Sequence, residues 1–555
     1  MSQPIGIQNR VMEWMYTSAL TYDDPFNEIE LDVVFTDPTG RELRVPAFWS
    51  GNQTWRVRYA SHAIGMHRFC TICSDESNDA LHGQEGELEV RPYQGDNVLF
   101  KHGPICVNSE QVRLEHADGT PFFWLADTWW MAFCQRLHWP GDFQTLLNNR
   151  VEKGFSVIQI VAGLFPDMAA FDERGVNEAG FPWEKDFARI NSAYFDMADM
   201  RVDRLVESGM SVCVVGAWGY YLKWMTVEQM RKHWRNIVAR WGAYPVTWCL
   251  AGETLLPYYM SPVDEKPKEE AHQKKAWTEL TSYVCSINGF DRPVTIHPTA
   301  QLSGSDQIED RTLLDFDMLQ TGHSAMLSVA RCRDGLRSAC SKQPRIPVLN
   351  GEICYEGIGF SMMHDMQRLY FWICMLNGAC GHSYGANGIW QMNGIGQPYG
   401  PSPHGMTWGN RPWIEAMELE GSTHLGIGKR LLERYEYWRF EPNPQWIDPH
   451  WDDDNIFLPF AAGIAGIVRV IYWNIGVPSP VMKQIEPGVQ YYAYLYNPVD
   501  GSEVDMGEVE PDSKGDWHVP YEWPPFWQDW IIVLDTQGGR TGQVAVDSTA
   551  NVPTT

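Results

Sequence analysis

Two glutamates, each at the end of a short apolar run, are the residues of this sequence best suited to acid–base chemistry. Glu352 closes the run Ile346-Pro-Val-Leu-Asn-Gly-Glu352, and Glu253 closes Val246-Thr-Trp-Cys-Leu-Ala-Gly-Glu253. Short apolar runs of this kind are typical of buried strands. Two carboxylates facing each other across a cleft can cleave a glycosidic bond, because one protonates the leaving oxygen while the other attacks the anomeric carbon or activates water. We therefore predict that Glu253 and Glu352 are the catalytic pair.

Polar and aromatic side chains also follow the other predicted strands, and we predict that these bind the substrate. They are Asp127, Trp129, Trp218, His297, Gln320, His323, Tyr355, His382, Tyr384 and Trp390. Each has a plainer interpretation. Asp127 serves equally well as a structural brace, and the tryptophans could cap the core. Tyr355 is a candidate to orient Glu352, whereas Glu356 lies past the strand end and is expected to have a loop role.

These residues can meet only if the fold brings the strand ends to one face. Between residues 104 and 437, short apolar strands alternate with helical patterns, as in parallel βα units. The predicted strands are 122–126, 156–161, 211–215, 246–250, 293–297, 316–320, 347–349 and 379–383, and the predicted helices are 193–208, 226–241, 269–287, 325–340, 363–376 and 413–434. This pattern predicts an α/β fold, a (β/α)8 TIM barrel, whose active site lies where the strands end. Strands four and seven would then face each other across the barrel mouth.

The segments on either side of the barrel have β character. Residues 1–103 combine alternating segments with frequent turn signals, which predicts an N-terminal β-sandwich. Residues 438–555 return to apolar and aromatic strands, which predicts a C-terminal β-sandwich. We therefore divide the chain into three domains, 1–103, 104–437 and 438–555.

Composition restricts the classes of molecule that this protein is expected to bind. The net charge of -27 argues against nucleic acid and anionic membranes, because phosphate binding needs clustered Lys and Arg. The sequence contains neither an apolar run long enough to span a membrane nor a recognisable secretory signal. The 12 scattered cysteines are typical of reduced core residues, which favours the cytoplasm. We expect a carbohydrate substrate and no cofactor, while a homo-oligomer through the aromatic-rich β domains stays open.

Four segments of the predicted barrel resemble the apiosidase-like family of glycoside hydrolases, whose barrel is similar to that of clan A. They are Phe122-Phe-Trp-Leu-Ala-Asp-Thr-Trp129, Trp248-Cys-Leu-Ala-Gly-Glu253, Pro347-Val-Leu-Asn-Gly-Glu-Ile-Cys-Tyr-Glu-Gly357 and Gly378-Ala-Cys-Gly-His-Ser-Tyr-Gly385 with Ile389-Trp390-Gln391. The resemblance implies flanking immunoglobulin-like and β domains, and a β-D-apiosidase or related furanosidase that retains anomeric configuration. It makes Glu253 the acid/base and Glu352 the nucleophile. The family often has Gly-Gly-Asp where this chain has Ala251-Gly252-Glu253, so the carboxyl lies further out by roughly one bond.

Two alternatives stay open at this stage. His297, His323 and His382 could together bind a metal ion in a metal-dependent barrel hydrolase, although such sites usually need a His pair on one strand. The chain could also be a non-catalytic carbohydrate-binding protein, with the sandwiches binding the sugar. Two carboxylates at opposed strand ends favour the hydrolase over both.

Overall fold

The computed structural model describes residues 4–110 and 112–536, and its N-terminal part is a sandwich of two sheets. The strands are β1 (Ile5–Ile7), β2 (Met12–Thr17), β3 (Leu31–Thr36), β4 (Glu42–Pro46), β5 (Phe48–Trp49), β6 (Thr54–Tyr59), β7 (Gly65–Cys73) and β8 (Glu85–Arg91), with the short helices α1 (Pro25–Glu28) and α2 (Val98–Lys101). One sheet has the order β1-β8-β7-β3-β4 and the other β2-β6-β5. All pairs are antiparallel except β1 with β8. Alternate residues Leu31, Val33 and Phe35 are buried in the core, as the sequence pattern predicts.

Eight parallel strands then form the barrel. After the small antiparallel pair β9 (Ile105–Val107) and β10 (Leu114–His116) come β11 (Trp124–Thr128), β12 (Val157–Val161), β13 (Ser211–Trp218), β14 (Val246–Gly252), β15 (Val294–Thr295), β16 (Asp317–Gln320), β17 (Val348–Glu352) and β18 (Gly381–Tyr384). Their spatial order is β15-β14-β13-β12-β11-β18-β17-β16. Between the fifth strand and the sixth, the described residues form no ladder, so the barrel is closed everywhere except at this seam. The predicted TIM-barrel fold is confirmed.

Helices connect most of the barrel strands, and two more follow the last strand. They are α3 (Gly141–Glu152), α4 (Ser192–Glu207), α5 (Val227–Trp241), α6 (Lys266–Ile287), α7 (Met326–Ser341), α8 (His364–Met375), α9 (Trp413–Ala416) and α10 (Glu420–Leu432). The Thr226 side chain and Gln229 form a capping box at the start of α5, which explains why that helix was visible in the sequence. Helix α3 has no counterpart among the predicted helices. The single helix predicted over 413–434 is instead two helices, α9 and α10.

A buried ion-pair cluster joins the N-terminal sandwich to the barrel. Arg58 of β6 donates from Nη2 to Asp199 of α4 at 2.6 Å and from Nε to Glu13 of β2 at 2.7 Å. Arg240 of α5 approaches Asp199 to 2.7 Å, and Nε1 of Trp241 donates to the same carboxyl at 2.8 Å. Asp199 therefore accepts hydrogen bonds from both parts of the molecule.

The C-terminal part is a second antiparallel sandwich. Its strands are β19 (Glu441–Pro442), β20 (Ile447–Asp448), β21 (Phe460–Ile464), β22 (Val468–Trp473), β23 (Val481–Met482), β24 (Tyr492–Tyr496), β25 (Glu503–Glu508), β26 (Trp517–His518) and β27 (Trp530–Asp535). The two sheets have the orders β19-β21-β22-β27-β24-β25 and β20-β23-β26, and their core includes Trp473, Leu495 and Ile532. Residues 537–555 of the predicted third domain lie outside the described residues.

The chain divides into two compact units between Gly426 and Ile427. The three-domain division from the sequence stays a prediction. Within the described residues, no helix is both long and apolar enough to cross a membrane.

Candidate active site

A cavity of about 340 Å³ lies at the ends of the barrel strands. Seven of the twelve residues predicted for the site line it: Glu253, Glu352, Trp218, Gln320, His323, Tyr355 and Trp390. They come from β13, β16 and β17 and from the segments that follow β14, β16, β17 and β18. The cavity is thus at the end of the barrel where this fold carries its active sites.

Glu352 is the last residue of β17, and its carboxylate lies between two histidines. Nε2 of His323 is 2.8 Å from Oε1, and Nε2 of His297 is 3.0 Å from Oε2. Glu352 is only 5% exposed, and His297 is fully buried. His297 follows β15 and does not line the cavity itself, so it contacts the carboxylate from behind.

Glu253 follows directly after β14 and is only partly buried. Its Oε1 accepts a hydrogen bond of 3.2 Å from Nε2 of Gln320. Gln320 is also the neighbour of Glu352 in the sheet, so the residue that donates to Glu253 lies on the strand beside the other carboxylate. Glu253 has a φ of 39°, in the left-handed region that non-glycine residues rarely adopt. Strain of this kind persists only where the surrounding structure holds it, and it is concentrated at functional sites.

The surroundings drive the two carboxyl groups to opposite protonation states. Burial, and then the nearby negative charge of Glu352, raise the pKa of Glu253 to about 7. Burial also disfavours the charged form of Glu352, but the contacts with His297 and His323 outweigh it and hold the pKa of Glu352 well below its usual range. Hydrogen bonds to Cys354 and Glu352 overcome the effect of burial and raise the pKa of His323 to about 10. At neutral pH the site therefore pairs an ionised Glu352 with a Glu253 that exchanges a proton readily.

Two glycines allow the end of β14 to take this shape. A Cβ on Gly252 would lie 2.3 Å from the indole of Trp218, so only glycine lets that ring lie against the strand end. A Cβ on Gly219 would lie 2.4 Å from the carbonyl oxygen of Thr254 and 2.7 Å from that of Glu253. The backbone that carries Glu253 therefore packs directly on Gly219.

An aromatic wall stands beside the Glu352 carboxylate. Nε1 of Trp130 donates to the hydroxyl of Tyr355 at 3.0 Å, and the Tyr355 ring lies 4.5 Å from that of His323. Burial and the charge of Glu352 raise the pKa of Tyr355. Because Trp130 occupies an acceptor position of the hydroxyl, its proton is free to point toward Glu352.

Besides His297, four residues predicted to bind substrate do not line the cavity. Asp127 is fully buried and accepts from Nε1 of Trp129 at 2.7 Å and from Nε of Arg150 at 2.6 Å, so both Asp127 and Trp129 brace the end of β11. The Tyr384 hydroxyl donates to Glu356 at 2.5 Å. These contacts correct the substrate-binding roles predicted for Asp127, Trp129 and Tyr384. Buried polar groups need hydrogen-bond partners, and the partners of these three residues lie inside the protein.

His382 is the fourth of these residues. Its ring packs on Phe371 of α8 at 5.6 Å, which places it between the sheet and a helix instead of at the barrel mouth. Burial lowers the pKa of His382 to about 3, so it is neutral. Glu356, expected in a loop role, is buried and also accepts from the backbone N–H of Gly421 at 3.1 Å.

Several cavity residues escaped the sequence prediction. They are Trp130, Asp167, Tyr259, His404 and Trp408. Trp130 directly follows Trp129, which was the residue predicted from the sequence. The indole that lines the cavity is therefore one residue further along the chain. The others lie within long loops, where neither strand periodicity nor a turn motif says which side chain points inward.

The three histidines do not converge on one point. Among the described residues, no group of three or more His, Cys, Asp or Glu side chains is arranged to hold a metal ion. His297 and His323 contact Glu352, and His382 lies elsewhere. The geometry thus gives these two histidines a carboxylate-positioning role. Each of the cysteines is a free thiol.

Comparison with known proteins agrees with this geometry. Residues 108–439, more than half of the chain, match the model of the apiosidase-like catalytic domain, and residues 8–74 match a domain of unknown function, DUF5060. No curated protein matches the chain.

Solved structures share the fold. A putative glycoside hydrolase from Bacteroides vulgatus superposes with a TM-score of 0.67 at 17% identity, covering 96% of this chain and 100% of that one. A glycoside hydrolase family 5 protein from the same organism gives 0.66 at 21% identity, covering 80% and 96%. Another glycoside hydrolase gives 0.65 at 21% identity, covering 80% and 98%. Identities this low establish similarity of fold alone.

Proposed function

The chain belongs to the apiosidase-like family of glycoside hydrolases, and from that premise we propose that it is a retaining, exo-acting enzyme of β-apiosidase or related furanosidase type. In this proposal Glu253 is the acid/base and Glu352 is the nucleophile. The substrate is a small glycoside or oligosaccharide, and the mechanism needs no cofactor.

One observation carries the proposal: two carboxyl groups at a single cavity have pKa values driven in opposite directions. The pKa of Glu253 is raised to about 7, while that of Glu352 is held well below its usual range. A pair of titratable groups separated in this way is the arrangement that divides acid and base roles at neutral pH. Two-carboxylate glycoside hydrolysis needs this division, with one protonated and one ionised carboxyl group.

In the first step, the ionised Glu352 attacks the anomeric carbon as the bond to the leaving oxygen breaks. Glu253 gives its proton to that oxygen, so the aglycone leaves as a neutral alcohol and a glycosyl ester forms on Glu352. His297 and His323 hold both oxygens of Glu352, which fixes the direction of attack. Gln320, the neighbour of Glu352 in the sheet, donates a hydrogen bond to Glu253 and restrains its carboxyl group.

In the second step, Glu253 has become a carboxylate and acts as a base. It removes a proton from a water molecule, the water oxygen bonds to the anomeric carbon, and the ester to Glu352 breaks. The sugar leaves with its original anomeric configuration, and both carboxyl groups return to their starting states. The free energy difference between the two states of Glu253 is small near neutral pH, because its pKa is close to the ambient value.

Two further features support the finer parts of the proposal. A cavity of about 340 Å³ is at the small end of ligand pockets, which fits a terminal sugar and favours exo action. The furanoside preference rests on family membership. The proposal also includes a cytoplasmic location and no nucleic-acid or membrane partner, and both rest on the sequence.

The proposal is tested with a panel of aryl glycosides that includes apiofuranosides, arabinofuranosides, galactofuranosides and pyranosides. We expect the wild type to hydrolyse one furanoside best, and Glu253→Gln and Glu352→Gln to lower kcat at least 1,000-fold, roughly the loss seen when a main catalytic group is removed. Glu270→Gln is the matched control, because Glu270 is an exposed carboxylate of α6. Wild-type turnover by either active-site variant, with the fold intact, would overturn the assignment.

A further inference from the structure

A third carboxylate, Asp167, lines the cavity and has no part in the two steps above. It lies in the loop after β12 and is 7% exposed. Its φ of 53° lies in the left-handed region, which Asp tolerates better than most residues. Burial of a carboxylate and a left-handed backbone conformation both cost free energy of folding. Such a combination is typical of functional sites.

Two aromatic side chains donate hydrogen bonds to the Asp167 carboxylate. Nε1 of Trp408 donates to Oδ2 at 2.9 Å, and the Tyr259 hydroxyl also hydrogen-bonds to the carboxylate. His404 stacks on Tyr259 with ring centroids 4.8 Å apart. This cluster is assembled from the loops that follow β12, β14 and β18, and all four of its residues line the cavity.

Within the described residues, no ion pair neutralises the Asp167 carboxylate, although Arg174 and His404 act on it electrostatically. Arg174 itself pairs with Asp172 at 2.7 Å. A carboxylate has about four acceptor positions. Trp408 and Tyr259 fill two of them, which leaves acceptor capacity directed at the cavity.

We propose that Asp167 is the specificity-determining residue of the glycone site, where its carboxylate accepts hydrogen bonds from hydroxyl groups of the terminal sugar. This inference rests on the proposed function and adds to it the group that selects the sugar. Trp408 and Tyr259 are positioning residues in this assignment, because they hold Asp167 and leave its remaining acceptor positions exposed to the ligand.

The location relative to the catalytic pair supports the assignment. Asp167 and Glu253 line the same cavity, and the negative charge of Asp167 contributes to the raised pKa of Glu253. Glu253 also faces Glu352, Gln320 and His297, and its own charge acts on Tyr259. A sugar whose anomeric carbon lies at Glu352 would therefore have its far hydroxyls near Asp167.

The experiment compares the best aryl glycoside with its monodeoxy analogues. For the hydroxyl bound by Asp167, we expect its removal to lower wild-type kcat/KM roughly 100-fold, the usual worth of a hydrogen bond to a charged group. In Asp167→Ala the same removal should change kcat/KM less than about 3-fold. Trp408→Phe, which keeps Asp167 but removes one donor, should give an intermediate ratio. Glu173→Gln, an exposed carboxylate in the same loop, is the control and should behave as wild type.

A pattern in which Asp167→Ala lowers activity equally for the parent and every deoxy analogue would overturn the inference, as would a preference for amino sugars over neutral ones. The pH profile gives a second readout. Asp167→Asn removes a negative charge near Glu253, so the basic limb of kcat/KM should move to lower pH; an unmoved limb counts against the assignment.

A binding measurement can test the role of Asp167 independently of the proposed hydrolase activity. Saturation-transfer NMR with neutral monosaccharides needs no turnover. Sugar binding by the wild type that Asp167→Ala loses supports the role of Asp167 even if no glycoside is hydrolysed. Equal binding by both proteins contradicts that role even if hydrolysis is fast.

Discussion

At the scale of single residues, the structure explains how one residue type can supply two opposite chemical states. Glu352 is the more deeply buried of the pair, yet it is the one kept ionised, because two imidazoles lie within 3.0 Å of its oxygens. The Glu253 carboxyl accepts a hydrogen bond from the neutral Gln320, and the negative charge of Glu352 raises its pKa. Burial acts on both groups in the same direction, so the partners decide the outcome.

This arrangement makes a pH prediction. Activity requires a protonated Glu253 and an ionised Glu352, so kcat/KM should fall as pH rises through about 7. The acid limb should lie below the usual range of a glutamate, because the pKa of Glu352 is depressed. Initial rates across pH on the best aryl glycoside measure both limbs.

The same prediction can be checked without turnover. Glu352→Gln removes the negative charge that raises the pKa of Glu253, so the Glu253 carboxyl should titrate at a lower pH in that variant. ¹³C NMR of the labelled carboxyl follows the titration directly. A titration midpoint that stays in place would mean that the two groups do not interact.

The predicted residues that the structure places at the cavity share a simple sequence signal. Glu253 and Glu352 each come straight after an apolar strand, and strand ends converge in a barrel. Asp127 and Tyr384 also come at strand ends. Their polar atoms, however, are hydrogen-bonded to Arg150 and Glu356 inside the protein. Those partners are distant in the chain, so the sequence alone could not reveal them.

At the scale of elements, the exits of β13 and β14 position the acid/base. The two strands pair up to Trp218 and Gly252, so they extend beyond the 211–215 and 246–250 predicted from apolar residues. The extension includes Gly216 and Gly252, which lack the side chains that a periodicity argument uses, and Gly219 follows directly after β13. Close approach of backbone to backbone at Gly219 then fixes where Glu253 leaves the sheet.

Replacing that glycine should disturb the site in a measurable way. In Gly219→Ala the new Cβ would lie 2.4 Å and 2.7 Å from two carbonyl oxygens, so the backbone at Glu253 must shift. We expect a stability loss of about 1–3 kcal/mol, as for other overpacking changes, and a drop in kcat, because small displacements of catalytic groups are costly. Thermal unfolding and initial rates measure the two effects.

Gly335→Ala is the matched control for this change. Gly335 lies within α7, and its nearest neighbour to an added Cβ is a Leu319 methyl group at an ordinary 3.8 Å. Alanine is the better helix former, so this variant should be at least as stable as wild type. Equal behaviour of the two variants would show that the close contact at Gly219 is not what holds Glu253.

The positions of the loop residues at the cavity could not be predicted from the sequence. The barrel strands and five of its helices are visible as periodic patterns, and a capping box marks the start of α5. Asp167, Tyr259 and Trp408 come together from three loops that have no periodicity. Their meeting depends on how the loops fold over the barrel, which is a tertiary property.

At the scale of the whole molecule, the N-terminal sandwich acts as a brace for the barrel. Arg58 is 5% exposed and reaches Asp199 of α4 at 2.6 Å, while its Nη1 donates to the carbonyl oxygen of Arg240 at 2.8 Å. Arg240 in turn stacks its guanidinium over Phe48 of β5 at 4.2 Å. Each part therefore supplies charges that the other part neutralises.

Breaking this cluster should weaken both parts together. Arg58→Ala leaves Asp199 and Glu13 without a shared partner, and removing one member of a buried ion pair costs roughly 3 kcal/mol or more. We expect a clear fall in Tm in a calorimetric scan, with sandwich and barrel unfolding in one transition. Arg68→Ala is the control: its pair with Glu87 has side-chain exposures of 79% and 53%, and exposed pairs contribute at most about 1 kcal/mol. Equal Tm values for the two variants would contradict the brace.

Azide rescue can distinguish the acid/base role of Glu253 from the nucleophile role of Glu352. An activated aryl glycoside is given to Glu253→Ala and to Glu352→Ala in the presence of azide, and NMR gives the anomeric configuration of each glycosyl azide. Glu253→Ala should yield an azide that retains the substrate's configuration, because azide attacks the glycosyl ester on Glu352. Glu352→Ala should yield the inverted azide, because azide then takes the place of the nucleophile. The reverse pair of configurations, or no azide product from either variant, would contradict the account.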